Sequence, residues 1–108
     1  MGMYDTLRCQ YPLPLPQFQD RDWQTKDLRC WLCDYVITTD GRLMLMSGEH
    51  GEEINPPQQV PIHGMVWFYG FADDNAPPTD RGWVEFRAKF TDNKCVGIEV
   101  AEYREPGQ

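Results

Sequence analysis

The sequence predicts an all-β fold, a compact antiparallel sandwich or partly open barrel of about six or seven strands. Three observations carry that expectation. From Trp83 to Tyr103 the residues alternate: Val84, Phe86, Ala88 and Phe90 against Trp83, Glu85, Arg87 and Lys89, then Val96, Ile98 and Val100 against Gly97, Glu99 and Ala101. A period of two marks strands with one face on a core and one in water. Asp40-Gly41 stands between two apolar runs, and Asp-Gly favours a tight hairpin because both positions tolerate positive φ. No stretch has convincing helical spacing; the best candidate, Gln17 to Asp27, carries too few apolar residues at that period.

The first strong strand runs from Leu28 to Thr38 and returns from Leu43 to Ser47. A two-residue loop at Asp40-Gly41 sets Ile37 against Met44, Val36 against Leu45 and Tyr35 against Met46. Both faces of this hairpin are then apolar, so it is either covered twice or covered once with the other face an interface, including that of a homodimer. Val60 to Phe71 reads as a long central strand, apolar on both faces. In the last hairpin a three-residue loop, Asp92-Asn93-Lys94, opposes Phe86 to Val100, Ala88 to Ile98 and Phe90 to Val96. That register keeps one face wholly apolar, places Arg87 opposite Glu99, and sets Trp83 beside Tyr103 on the outer face.

With 108 residues the chain is expected to be one domain, 1–108, large enough to bury a core without covalent staples. Its N-terminal arm, residues 10–18, spaces Pro12, Pro14 and Pro16 by two, which favours an extended course and a role in covering a sheet edge. No apolar run is long enough to span a membrane, and the start lacks the basic and apolar regions of a signal peptide. A cytoplasmic protein is therefore expected.

The formal net charge of −7 disfavours direct nucleic-acid binding, which requires Lys and Arg to neutralise phosphates. It permits an acidic surface that meets a basic partner. Two loops hold the carboxylates: Glu49, Glu52 and Glu53 in one, Asp73, Asp74 and Asp80 in the other. Such clusters solvate a surface, or they imitate phosphates in a basic groove of another protein, with Trp31, Trp67 or Trp83 as anchors. The candidate partner-binding residues are Glu49, Glu52, Glu53, Asp73, Asp74, Asp80, Trp83 and Tyr103.

Catalytic and metal signals are weak, and no cofactor is expected. Cys30-Trp31-Leu32-Cys33 is a CxxC without a second ligand pair. It falls inside a predicted strand, where alternation sends the two sulfurs to opposite faces. Buried free thiols are the simpler reading for Cys9, Cys30, Cys33 and Cys95. The alternative to a binding protein is a small metal-dependent or hydrolytic enzyme, in which His50 converges with Glu52, Glu53 and Asp73 or Asp74.

The start Met1 to Thr6, the segment Tyr11-Pro12-Leu13-Pro14, the segment Trp23 to Leu28 and the turn Asp40 to Leu43 resemble uncharacterised small proteins of bacteriophages and prophages. The likeness is good over roughly the first 45 residues and loose beyond. It implies a mobile-element origin and a bacterial host cell, and it brings no catalytic residues. Together with acidity and small size it suggests a non-enzymatic protein-binding module. The sharp form of that expectation is an anti-CRISPR-like inhibitor of a bacterial defence complex, and a minor phage assembly component stands beside it.

Overall fold

Alternating short segments build β1 (Asp5–Cys9), β2 (Asp22–Thr25), β3 (Asp34–Ile37), β4 (Leu43–Ser47), β5 (Glu53–Gln59), β6 (Gly64–Gly70), β7 (Trp83–Thr91) and β8 (Lys94–Arg104). The computed structural model describes residues 4–28, 30–48 and 52–107. All eight strands join in one open sheet of order β5-β4-β3-β1-β2-β6-β7-β8. The fold is all-β and mostly antiparallel; β1 and β3 alone pair in parallel. The chain leaves β2 on one side of β1, and residues 26–33 carry it to the other side, so β3 enters in the direction of β1.

Alternation assigns one face of the sheet to a single core. Leu7 and Cys9, Trp23, Tyr35 and Ile37, Leu43 and Leu45, Val66 and Phe68, and Val84, Phe86, Ala88 and Phe90 are all buried on it. The proline-spaced arm crosses this face and delivers Leu13 and Phe18 to the core. Phe18, in a short 3-10 turn (Pro16–Phe18), meets Trp23, Phe86 and Tyr103 edge-on at 5.9, 6.3 and 5.6 Å. The arm thus covers core rather than only an edge. Gln19 holds it in place: its amide donates to the Cys9 and Tyr11 carbonyls and accepts from the Leu13 N–H.

The sheet curls until the β3–β4 turn meets the start of β8. Cys95 N–H donates to the Gly41 carbonyl at 2.7 Å, and Asn93 exchanges two hydrogen bonds with the Ile62 backbone. Gly41 has φ +91°, and a Cβ there would stand 2.8 Å from the Cys95 carbonyl oxygen. Only glycine meets both conditions without strain.

Both hairpin loops differ from the sequence expectation, and in opposite senses. In the first, Ile37 faces Leu43, Val36 faces Met44 and Tyr35 faces Leu45, so the loop is Thr39-Asp40-Gly41. The extra residue places Leu43 and Leu45 inside with Tyr35 and Ile37, and leaves Val36, Met44 and Met46 outside. Three-residue hairpin loops with a terminal positive-φ glycine are a common alternative to the two-residue turn. In the last hairpin the loop is the pair Asp92-Asn93, both at positive φ (49° and 73°). A bulge at Val96 then restores the expected pairs Ala88–Ile98, Arg87–Glu99 and Phe86–Val100. A second bulge at Ala101 brings Tyr103 opposite Val84 and Arg104 opposite Trp83. Trp83 and Tyr103 therefore lie on opposite faces. On the edge strand β8, Val96 and Val100 are 56% and 37% exposed; Cys95 takes the place expected for Val96 opposite Phe90 and is buried, and of the expected face in β8 Ile98 alone packs partly against the core.

Two strand expectations are also revised. The Leu28–Thr38 strand shrinks to β3, because residues before Asp34 form a turn with Cys30 and Leu32 at positive φ (59° and 60°). The Val60–Phe71 strand shrinks to β6, and β5 forms in a segment whose Pro56 and Pro57 discourage that reading. Proline is tolerated there because β5 is an edge strand and needs no donor on its open side.

Candidate functional site

The outer face of β6 and β7 collects the large exposed side chains. In β6, Val66 and Phe68 enter the core, so Met65, Trp67 and Tyr69 project outward. Phe71 follows, and Trp83 comes up beside it from β7. Met65, Trp67 and Phe71 are 46%, 36% and 40% exposed. The rings interlock: Tyr69 stacks on Trp83 at 5.5 Å and Phe71 meets Trp83 edge-on at 5.9 Å. Cations hold two of them, with Arg87 over Trp67 at 5.3 Å and Arg81 over Phe71 at 5.2 Å. Arg87 is also paired with Glu99.

The backbone under this face is pinned from β2. Thr25, fully buried, donates its hydroxyl to the Trp67 carbonyl at 2.7 Å, and the Asp27 carboxylate accepts the Trp67 N–H at 2.7 Å. Both polar groups of one residue are thereby held by side chains two positions apart. A concavity of about 360 Å³ opens beside it, between Tyr4, Thr6, Gln24, Tyr69, Phe71 and Trp83. Its charged rim is internally compensated. Arg21 donates to the Phe71 and Ala72 carbonyls and to Asp74, and Asp22 pairs with Arg8. Burial, reinforced by the nearby charges of Asp27, Cys30 and Glu85, raises the Tyr69 phenol above its ordinary value.

The CxxC borders this region as a turn rather than a strand. The buried Asp5 carboxylate accepts the N–H groups of Cys30, Trp31 and Cys33 at 2.8, 3.1 and 3.0 Å. That arrangement pushes Trp31 and Leu32 into solvent, 47% and 39% exposed. Strand alternation therefore does not govern the two sulfurs. All four cysteines are free thiols; Cys9, Cys33 and Cys95 are buried and Cys30 is half-buried. Burial, with Cys95 nearby, pushes the Cys9 thiol up to about 12, and burial also raises Cys95.

The expected acidic surface is not one surface among the described residues. Glu52 and Glu53 are exposed at the β5 edge, with four strands between β5 and β6 in the sheet order. In that loop Asp73 accepts the Asn75 N–H, Asp74 pairs with Arg21, and Asp80 is exposed, its carbonyl accepting from Gly107. Glu49 and His50 lie outside the described residues. No group of three or more His, Cys, Asp or Glu side chains that could hold a metal occurs among the described residues. Trp83 belongs to the aromatic face, whereas Tyr103 sits against Phe18 on the core side. The sequence points to Trp83 as a partner-binding residue and to Trp67 as a possible anchor, but not to Tyr4, Tyr69 or Phe71 as parts of the same face. The unbroken apolar run of β6, flanked by glycines, was the available signal.

Comparison with protein-family models, with curated proteins and with solved structures finds no match to this chain. No helix among the described residues is long and apolar enough to cross a membrane.

Proposed function

We propose that this chain is a non-enzymatic module that binds another protein through the aromatic outer face of β6 and β7. The observation that carries the reading is the exposure of Met65 and Trp67 on β6, and of Phe71 just after it, where Thr25 and Asp27 fix the Trp67 backbone. Large rings held rigid before contact lose little freedom on binding, and aromatic anchors dominate interface energetics. The net charge of −7 favours a partner with a basic surface, because opposite charge speeds encounter and fixes orientation. The likeness of the first 45 residues to phage and prophage proteins supports a bacterial partner. A subunit of a nucleic-acid-handling defence complex is the partner class that combines both properties.

The test is affinity purification from a bacterial host with three baits: wild type, Trp67→Ser/Phe71→Ser, and Glu52→Lys/Glu53→Lys. The reading expects a partner captured by wild type, retained by the loop variant and lost by the face variant. Retention by the face variant with loss by the loop variant overturns it in favour of acidic recognition.

A further inference from the structure

The pairing of β2 with β6 is the shortest in the sheet: Gln24 and Tyr69 alone face each other across it. Beyond that pair the strands part, and Arg21 spans the gap instead, donating to the Phe71 and Ala72 carbonyls. The parting opens the concavity of about 360 Å³, near the lower end of the range for small-molecule sites, which suits one ring rather than a chain. Trp23 lies beneath it, so close to Gly70 that a Cβ there would stand 2.9 Å from the indole.

The lining selects the chemistry of a ligand. Its charged side chains are already engaged: Asp22 pairs with Arg8, and Asp74 with Arg21. Its neutral polar groups are not. Among the described residues nothing hydrogen-bonds the hydroxyls of Tyr4, Thr6 and Tyr69 or the Gln24 side-chain amide. Trp83 stacks on Tyr69 from the β7 side at 5.5 Å, which leaves the other face of Tyr69 towards Gln24 on β2. Aromatic faces beside unengaged neutral donors and acceptors match a ligand that is apolar on its face and polar at its edge. A pyranose has that form. Its ring C–H groups lie against the negative face of an aromatic ring, and its hydroxyls reach outward as donors and acceptors. A charged ligand would find every charge in this lining paired.

We propose that this concavity binds one neutral pyranose, the terminal residue of a glycan, with its ring against Tyr69 and its hydroxyls on Gln24, Thr6 and Tyr4. The site goes beyond the protein-binding reading and does not rest on it, because Met65 and Trp67 lie outside the lining.

Amide NMR shifts of the full chain, titrated with methyl pyranosides as mimics of a terminal residue, provide the test. The probes are the methyl α- and β-pyranosides of glucose, galactose, mannose and N-acetylglucosamine. At least one is expected to shift the Gln24, Tyr69 and Gly70 amides with a dissociation constant of roughly 1–10 mM. Gln24→Ala is expected to weaken that binding about fivefold or more. Tyr69→Ala should weaken it about tenfold or more, and Trp67→Ser should leave it within about twofold. Gln24 is exposed, so its variant keeps the test open even where Tyr69→Ala fails to fold. The proposal is overturned if no pyranoside shifts these amides up to roughly 50 mM. It is equally overturned if Gln24→Ala binds as wild type does, or if choline, a cation suited to aromatic faces, binds more tightly than every pyranoside.

Discussion

Asp27 accepts the backbone N–H of Trp67 at 2.7 Å from just beyond the end of β2. Its side chain takes the place of a strand and holds an exposed aromatic residue without covering it. Asp27→Ala leaves that N–H to water and is expected to cost about 1–2 kcal/mol, near the low end for a hydrogen bond to a charged group because water replaces the acceptor. Urea unfolding should report the loss as a lower midpoint with an unchanged slope. Partner capture through the Trp67 face should fall in the same variant.

Asp5 is a second carboxylate used for architecture, and here it is fully buried. It terminates three N–H groups of the Cys30–Cys33 turn. Asp5→Ala leaves them without an acceptor and is expected to cost about 3 kcal/mol or more. Asp5→Asn keeps one acceptor oxygen and should lie between that variant and wild type. Thermal and denaturant unfolding of the two variants check the order.

Gly41 combines positive φ with close approach to Cys95. Gly41→Ala is expected to destabilise by about 2 kcal/mol through backbone strain and contact with the Cys95 carbonyl. Hydrogen exchange should show the Cys95 amide, which donates to Gly41, losing protection first.

Thiol reactivity should separate the cysteines by burial. Thiolates are the reactive form, so half-buried Cys30 is expected to be alkylated in the native protein, and Cys9 and Cys95 only on unfolding. Cys9 also sets a pH dependence. Its thiol rises from 9.0 to about 12 in the folded chain, so the unfolded chain releases its proton first. Its contribution is complete below pH 9.0 and is lost as pH climbs towards about 12. Denaturant midpoints across that window should fall for wild type and fall less for Cys9→Ala.

The hairpins show what local pattern can and cannot specify. The pairing of Arg87 with Glu99 was legible because only one register keeps Phe86 and Ala88 on an apolar face. The loop lengths were not. Asp40-Gly41 fits a two-residue turn, yet burying both Leu43 and Leu45 with Tyr35 and Ile37 requires a third residue. Asp92-Asn93 suffices for the other turn because Val96 bulges. Turn chemistry and face chemistry are separate constraints, and the buried face prevails. The candidate face was half legible. The apolar run around Trp67 is visible in the sequence, but its neighbours come from strands far apart in the chain. Thr25, Asp27 and Tyr4 reach it through a sheet order that no local periodicity records.

That order has a consequence for how the chain comes together. β1 is the seam between two groups of strands, β3–β4–β5 on one flank and β2–β6–β7–β8 on the other. Each flank is largely a sequence of local antiparallel pairings; the two are laddered together across five residues, Asp5–Cys9, and meet again where the Gly41 carbonyl accepts the Cys95 N–H. The strand that joins the two groups thus precedes both of them in the chain. Removing it would not shorten the sheet at an end but divide it into two.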